Sequence, residues 1–517
     1  MTAPRDTVPR DTATTLYAGA TTALLVRDGT VLWTGPTDAA PPARSTVDLG
    51  DGVLTPAFVD AHVHASATGL ALTGLDLHDC RSLAELLDRL EATARDGRGR
   101  VVLGTGWDET RWPEHRAPTR QELDRAAYGS AVYLARVDVH SAVVSSALLA
   151  AAPATRGLAG FDDAGHVRLD AHHEVRRAAY GGIGTAQRRA AQRATRARAA
   201  ELGIGCLQEM SGPEVAGRAD LEALLALAAD EPGPEIIAYW GELGGFDTVA
   251  ELGLAGAGGD LFCDGSLGSH TAALGTPYAD ALTSGHLRYA DDEIVSHLRR
   301  ATTGGVQAGF HVIGDEAIDQ VVRAVDAVAG ELGLDAVRRV RHRLEHAEMP
   351  RREHIEAMAR LGMIASVQPA FDAAWGGADA MYAQRLGADR AAGLNPFAAY
   401  AAAGVPLALG SDAPVTPLDP WGGITAAVGH RTPGSGITAA QAVAAATSGG
   451  WYAARRESTG ALLSPGTTAS FAVWDSRSPG ELLDRAVAGD PAPCRLTVVA
   501  GTVVYDADAP QSSKGVV

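Results

Sequence analysis

Residues 54–64 read LTPAFVDAHVH, an apolar run that ends on two histidines one residue apart. In an extended strand residues i and i+2 share a face, so His62 and His64 point the same way and can reach one metal ion. With 16 histidines among 517 residues, a single His-x-His pair is little better than chance. The setting of the pair therefore matters more than the pair itself. Seven further stretches share the texture: GIGCLQEM (203–210), EIIAYW (235–240), DLFCDGS (260–266), QAGFHVIG (307–314), RLEHAE (343–348), MIASVQP (363–369) and PLALGSD (406–412). Helical patterns separate them, such as DEIVSHLRRATTGG and DEAIDQVVRAVDAVAGEL, with apolar residues at i, i+3 and i+4. Short apolar strands alternating with amphipathic helices predict an α/β fold with a parallel sheet. Eight such units predict a (β/α)8 barrel of the TIM type.

The chain ends have a different texture. TALLVRDGTVLWTG near the start, and ASFAVWD and CRLTVVAGTVVYD near the end, are β-type runs around turns at Asp28-Gly29 and Ala500-Gly501. Neither end has enough strands to bury a face alone, so residues 15–54 and 457–510 are expected to form one small β-sandwich. Residues 1–14, polar and rich in Pro and Thr, read as a disordered tail. The barrel then spans 55–456. About 140 residues separate His64 from the strand around Cys206, too many for one βα unit. A subdomain inserted after the first strand, at about 70–180, is expected there; it carries the helix LAELLDRLEATA and the strands RVVLGTGWD and AVYLARVDVH. The Arg-rich stretch near 188–198 reads as a solvated helix face.

Hydrophobic residues at 46% and charged residues at 21% describe a globular protein. A net charge of −18 and a pI near 5.3 exclude nucleic acid and anionic membrane as main partners. A small-molecule substrate is expected, and a homo-oligomer is left open. No run of about 18 apolar residues spans a membrane, and the N-terminus has no apolar signal segment. Cys80, Cys206, Cys263 and Cys494 stand singly, which predicts a reducing, cytoplasmic setting. The only lysine is Lys514, so no lysine side chain can serve a site inside the fold.

Three more residues join the pair at matching places. His311 lies in the fifth apolar stretch, His346 in the sixth, and Asp412 ends the eighth. In a (β/α)8 barrel all strands open their C-terminal ends onto one face, so these five residues converge. Imidazoles with a carboxylate suit Zn²⁺, Mn²⁺ or Fe²⁺. Such a cation acidifies water and polarises carbonyl oxygens. Asp412 is the candidate general base. His346 either ligates the metal or hydrogen-bonds the substrate oxygen as charge develops. Taken alone, Asp412 would read equally well as a turn residue before Pro414.

The motifs PAFVDAHVH, DGSLGSHTAAL, HVIGDEA, RLEHAE, SVQP and GSDAPV, in that order, resemble the amidohydrolase superfamily. The similarity is strongest to its amidohydrolase-3 branch, which includes N-substituted formamide deformylases, and it extends over nearly the whole chain. It implies His62, His64, His311 and His346 as metal ligands and Asp412 as ligand and base. It also implies substrate-side roles for Trp107, Asp108 and His140 in the inserted subdomain, and for His270 and Gln368 on the barrel; for Trp107 a packing aromatic reads equally well. His270 stands where relatives often carry Arg. Relatives commonly have a lysine shortly before DGSLGS that bridges two metals when carbamylated; here Asp260 stands there. The expectation is therefore one ion per chain, zinc first, with Asp260 or Cys263 as an unusual ligand or a residue behind the ligands, though Cys263 reads better as a small buried hydrophobe. The implied reaction is hydrolysis of an amide or formamide C–N bond. One alternative is ring deamination, for which relatives place Glu three residues after the fifth-strand His, where this chain has Gly314. A second alternative is a barrel that only binds.

Overall fold

Eight parallel strands form the centre of the first of two units: β1 (Phe58–Val63), β2 (Ile204–Ser211), β3 (Glu235–Trp240), β4 (Gly256–Ala257), β5 (Gln307–Val312), β6 (Arg343–His346), β7 (Ile364–Val367) and β8 (Leu407–Leu409). The structure is a computed structural model describing residues 14–97, 100–136 and 141–509. Strand neighbours follow chain order from β1 to β8, as in a (β/α)8 barrel. Closure comes just beyond β8. Asp412 N donates to His62 O at 2.8 Å, and His64 N donates to Ala413 O at 3.0 Å. Gly410 permits this approach, since a Cβ there would lie 2.5 Å from His62 N.

The helices cover the barrel as the sequence periodicity requires. Helix Asp291–Gly304 buries Ile294, Leu298 and Ala301, and helix Asp315–Leu332 buries Ile318, Val321, Val325 and Val328, in one core with Phe310 and Val312 of β5. Each large aliphatic side chain so buried contributes roughly 1.5–3 kcal/mol.

Two strands differ from the sequence expectation. The opening run divides at Ala57: Ala57 N donates to Ser470 O, whereas Phe58 N donates to Gly203 O. Consecutive amides thus serve different sheets, and Val53–Pro56 pairs with Phe471–Trp474 of the sandwich rather than with the barrel. The fourth strand lies earlier and is shorter than DLFCDGS. It stops at Ala257 because Gly258 and Gly259 turn the chain with φ of 142° and 88°. A Cβ on Gly258 would lie 2.1 Å from Gly309 O. The chain rejoins β5 only at Phe262, opposite His311.

Two four-stranded sheets flank the barrel sequence within the same unit. One comprises Thr30–Pro36, Thr22–Arg27, Thr14–Gly19 and Ser45–Gly50, and the other Thr502–Asp506, Cys494–Val499, Phe471–Trp474 and Val53–Pro56. Tyr17, Leu24, Val26 and Val31 of the first share a core with Phe471, Val473, Leu496 and Val498 of the second. The tight turns fall at Asp28-Gly29 and Ala500-Gly501, all four residues having positive φ, as primed hairpin turns require.

The second unit is Ala65–Thr195. Its five-stranded sheet runs in the order His166–Arg168, Ser141–Val144, Val132–Arg136, Val102–Trp107, Leu75–Asp76. Alternate residues serve opposite faces: Leu103, Tyr133 and Ala142 enter one core, and Val102, Leu134 and Val143 the other. Among the described residues, no helix is long and apolar enough to cross a membrane.

Candidate metal centre

The C-terminal ends of β1, β5 and β6 and the segments after β4 and β8 bring six side chains together: His62, His64, Asp260, His311, His346 and Asp412. Each histidine has one ring nitrogen engaged outward. His62 Nδ1 lies 2.9 Å from Glu345 Oε2, His64 Nδ1 3.0 Å from Met210 O, His311 Nε2 3.2 Å from Gly265 O, and His346 Nδ1 2.8 Å from Gln368 Oε1. All four outer partners are acceptors, so these nitrogens carry the hydrogens and the opposite nitrogens keep their lone pairs.

Those lone pairs meet at the two carboxylates. Asp260 Oδ1 lies 3.5 Å from His62 Nε2, 3.6 Å from His311 Nδ1 and 3.6 Å from His346 Nε2, while Asp260 Oδ2 lies 3.1 Å from His64 Nε2. Asp412 Oδ1 is 3.5 Å from His62 Nε2 and 3.1 Å from His64 Nε2. Most of these distances exceed the usual 2.7–3.2 Å of an N–H···O hydrogen bond. They match the edge of a coordination polyhedron instead, because two donors each about 2.0–2.1 Å from a tetrahedral ion are about 3.3 Å apart. His62 Nε2, Asp260 Oδ1, His311 Nδ1, His346 Nε2 and Asp412 Oδ1 are buried without a hydrogen-bond partner. Each unpaired buried group costs about 1–3 kcal/mol, so five around one point call for a common partner. His62, His64 and Asp412 form one set close enough to hold an ion, and His62, Asp260 and His346 another. The donor set fits a divalent cation.

The electrostatics agree. Burial would depress the His62 pKa, but the carboxylates of Asp260 and Asp412 outweigh it and lift it to about 10. Burial would raise Asp260 and Asp412, and the histidines around them pull both down, Asp260 far below the usual range. Two of the six residues sit in left-handed backbone, His346 at φ 67° and Asp412 at φ 53°, the kind of strain that recurs at functional sites.

Behind His62 lies a buried network that the sequence reading did not single out. Arg343 and Glu345 have no exposed side-chain surface and meet at 2.6 Å. Arg343 also donates to Gln208 Oε1 at 2.6 Å, Ala61 O at 2.7 Å and Ser366 Oγ at 3.0 Å, with its guanidinium 4.8 Å from the centre of the Tyr239 ring. Burial would raise the Glu345 pKa, but Arg343 and His62 lower it to about 2. An Arg and a Glu two positions apart, on a strand that is buried at all four positions and ends on a candidate ligand histidine, is the signal that could have identified them.

The other sequence candidates separate clearly. Gln368 is buried, with Oε1 2.8 Å from His346 Nδ1 and Nε2 without a hydrogen-bond partner. His346 has a single nitrogen left, facing Asp260, and that nitrogen cannot both ligate and bind a substrate oxygen. Cys263 lies in the barrel core outside both donor sets, with burial raising its thiol pKa; it is a packing residue. His270, at φ 59°, pairs with Asp280 at 2.9 Å. In the second unit, Trp107 is fully buried and its indole donates to Leu134 O at 2.8 Å. It is a core residue there. Asp108 pairs with Arg136 at 3.4 Å, and His140 lies outside the described residues.

Known proteins carry the same organisation. The putative amidohydrolase YtcJ of Bacillus subtilis strain 168 is 26% identical over 441 residues, covering 79% of this chain and 80% of its own. The crystal structure of an uncharacterized metal-dependent hydrolase from Pyrococcus furiosus superposes with a TM-score of 0.74 at 27% identity, over 90% of this chain and 98% of that one. A second, from Pyrococcus horikoshii OT3, gives 0.75 at 25% identity over 90% and 96%. The amidohydrolase family profile matches residues 45–505. With that span and this donor ring, the chain belongs to the amidohydrolase family, in its amidohydrolase-3 branch of metal-dependent hydrolases.

Proposed function

We propose that this hydrolase cleaves an amide- or formamide-type C–N bond of a small molecule, with Asp412 moving the proton. The observation that carries the reading is the set of five unpartnered buried donor atoms around one point. His62, His64, His311, His346 and Asp412 would hold the cation, and zinc is the first candidate for a nitrogen- and oxygen-rich site of this kind. When bound, such a cation would supply acidification of water, from a pKa of 15.7 to about 7, roughly 12 kcal/mol of help at neutral pH. Asp412 stays anionic because the neighbouring histidines hold its pKa down against burial. Its carboxylate can accept the proton of the attacking water and return it to the leaving nitrogen. The outer bonds from Glu345, Met210 O, Gly265 O and Gln368 hold the histidine rings in place throughout.

Ring deamination is the weaker reading. Gly314 has no side chain to shuttle a proton, and the next carboxylate, Asp315, is already engaged by Gly275 N at 3.0 Å and Arg351 at 2.9 Å. A barrel that only binds would not need five donors kept in register.

The test is an assay of purified protein against N-substituted formamides and small amides, with metal content measured alongside. Chelation should abolish turnover and zinc should restore it. Asp412→Asn should lower the rate per bound metal by at least about 10²-fold. Full turnover after chelation, or a wild-type rate per metal in Asp412→Asn, would refute the reading.

A further inference from the structure

We infer that the substrate carries an aromatic substituent beside the bond that is cleaved, and that Phe262 is the residue that selects it. The inference rests on the C–N hydrolysis proposed above and names the substrate class of that same site. Phe262 lies opposite His311 in parallel register: His311 N donates to Leu261 O at 3.0 Å, and Cys263 N donates to His311 O at 3.0 Å. Directly opposed residues on neighbouring strands present their side chains on one face, so Phe262 shares the face of His311. The rings confirm it, with centroids 4.8 Å apart. Leu261 and Cys263 alternate onto the other face and are buried in the barrel core.

Phe262 differs from the packing aromatics of the barrel in two ways. It is only half-buried, and among the described residues it joins none of the apolar clusters that make up the core. A ring that faces the site without apolar neighbours keeps surface for a ligand to cover, and aromatic pairs gain beyond the area they bury. The ring is also held in place. Arg288 N donates to Cys263 O at 2.9 Å, and the Arg288 guanidinium stands 5.7 Å from the centre of the Phe262 ring. That guanidinium is itself fixed by Glu214 at 2.7 Å, so its charge is already met and does not call for an anionic substituent. The neighbouring histidine is flanked in the same manner: Phe371, on the helix Pro369–Trp375, lies nearly parallel to His346, 16° apart with centroids at 5.9 Å. A neutral, flat, apolar group is what such surroundings receive.

The probes are three methanesulfonamides, which resemble the amide but are not hydrolysed, carrying a methyl, a 2-phenylethyl or a carboxymethyl group on nitrogen. Binding to the zinc-loaded full-length protein is measured by calorimetry. The phenylethyl compound should bind about 10- to 100-fold more tightly than the methyl compound, and more tightly than the carboxymethyl one. Phe262→Ala should cut the phenylethyl-to-methyl ratio about tenfold, and Phe262→Tyr, which keeps the ring, should preserve it. A wild type that binds the methyl or the carboxymethyl compound as tightly as the phenylethyl one would overturn the inference. So would a Phe262→Ala protein that weakens the phenylethyl and methyl compounds equally, since the ring would then only support His311. Turnover of the matching formamides is scored separately: hydrolysis of the methyl compound without a phenylethyl preference in binding sinks this inference alone, whereas no hydrolysis of any of the three sinks the C–N reading on which it rests.

Discussion

Replacing Glu345 by glutamine removes one negative charge from a pair in which neither side chain has exposed surface. Arg343 is then left with a buried positive charge whose remaining neighbours, Gln208, Ala61 O, Ser366 and the Tyr239 ring, are all neutral. Breaking a buried pair from one side costs about 3–5 kcal/mol. His62 also loses a charged acceptor at 2.9 Å for a neutral one, and weakening such outer partners lowers metal affinity by about 10- to 100-fold. The two effects can be separated. In Arg343→Met, Glu345→Leu, both charges go and similar volume remains, which for buried pairs is often neutral or stabilising. Urea unfolding of the apo forms, together with zinc competition against a chromophoric chelator, reads both quantities. Glu345→Gln should lose about 3–5 kcal/mol of stability and about tenfold in zinc affinity. The double variant should recover most of the stability yet bind zinc at least tenfold more weakly than wild type. A double variant that binds zinc as tightly as wild type would show that Glu345 does not position His62. A fully stable Glu345→Gln would show that the pair is not buried as described.

His342 is buried, with Nδ1 accepting from Ala308 N at 3.0 Å, and burial, aided by the charges of His297 and Arg455, lowers its pKa to about 3. The unfolded chain therefore takes up its proton first, and the stability owed to the neutral ring, complete above about pH 6.5, is lost as pH falls toward 3. Asp60 and Glu348, lifted by burial to about 6 and about 7, slope the other way, so the informative quantity is a difference. The destabilisation caused by His342→Asn should shrink by roughly 2–3 kcal/mol between pH 6.5 and 4.5; a gap that stays constant with pH would contradict the assignment. Stripping the metal should lower the melting temperature, and zinc at 1,000 times its Kd should restore about 4 kcal/mol. Coincident melts of stripped and reloaded protein would count against a cation at the five orphaned atoms.

Much of this was legible in the sequence because barrel and site share the same residues. His62, His64 and Asp412 turn their side chains toward one another while their own and neighbouring backbone groups make the hydrogen bonds that close β1 onto the segment after β8. An apolar run ending in His-x-His, and another ending in Asp, therefore announced a strand and a candidate ligand together. What stayed hidden depended on backbone path or on pairing across strands. LTPAFVDAHVH reads as one strand, and only the divergent partners of Ala57 N and Phe58 N show it serving two sheets. Trp107 ends a strand in a motif that resembles a substrate-side segment, yet its indole is spent on Leu134 O inside the second unit's core.

Asp260 is the most instructive case. Aspartate is several bonds shorter than lysine, and at a fixed Cα position it could not reach as far. The Cα position is not fixed by residue type. It follows from where the strand ends, and β4 ends early because Gly258 and Gly309 approach too closely for any side chain at Gly258. A short side chain on a backbone that turns toward the ring reaches the same atoms as a long one on a backbone that does not. Composition can therefore rule out a carbamylated lysine in this barrel, but it cannot rule out Asp260 as a candidate ligand in the set with His62 and His346.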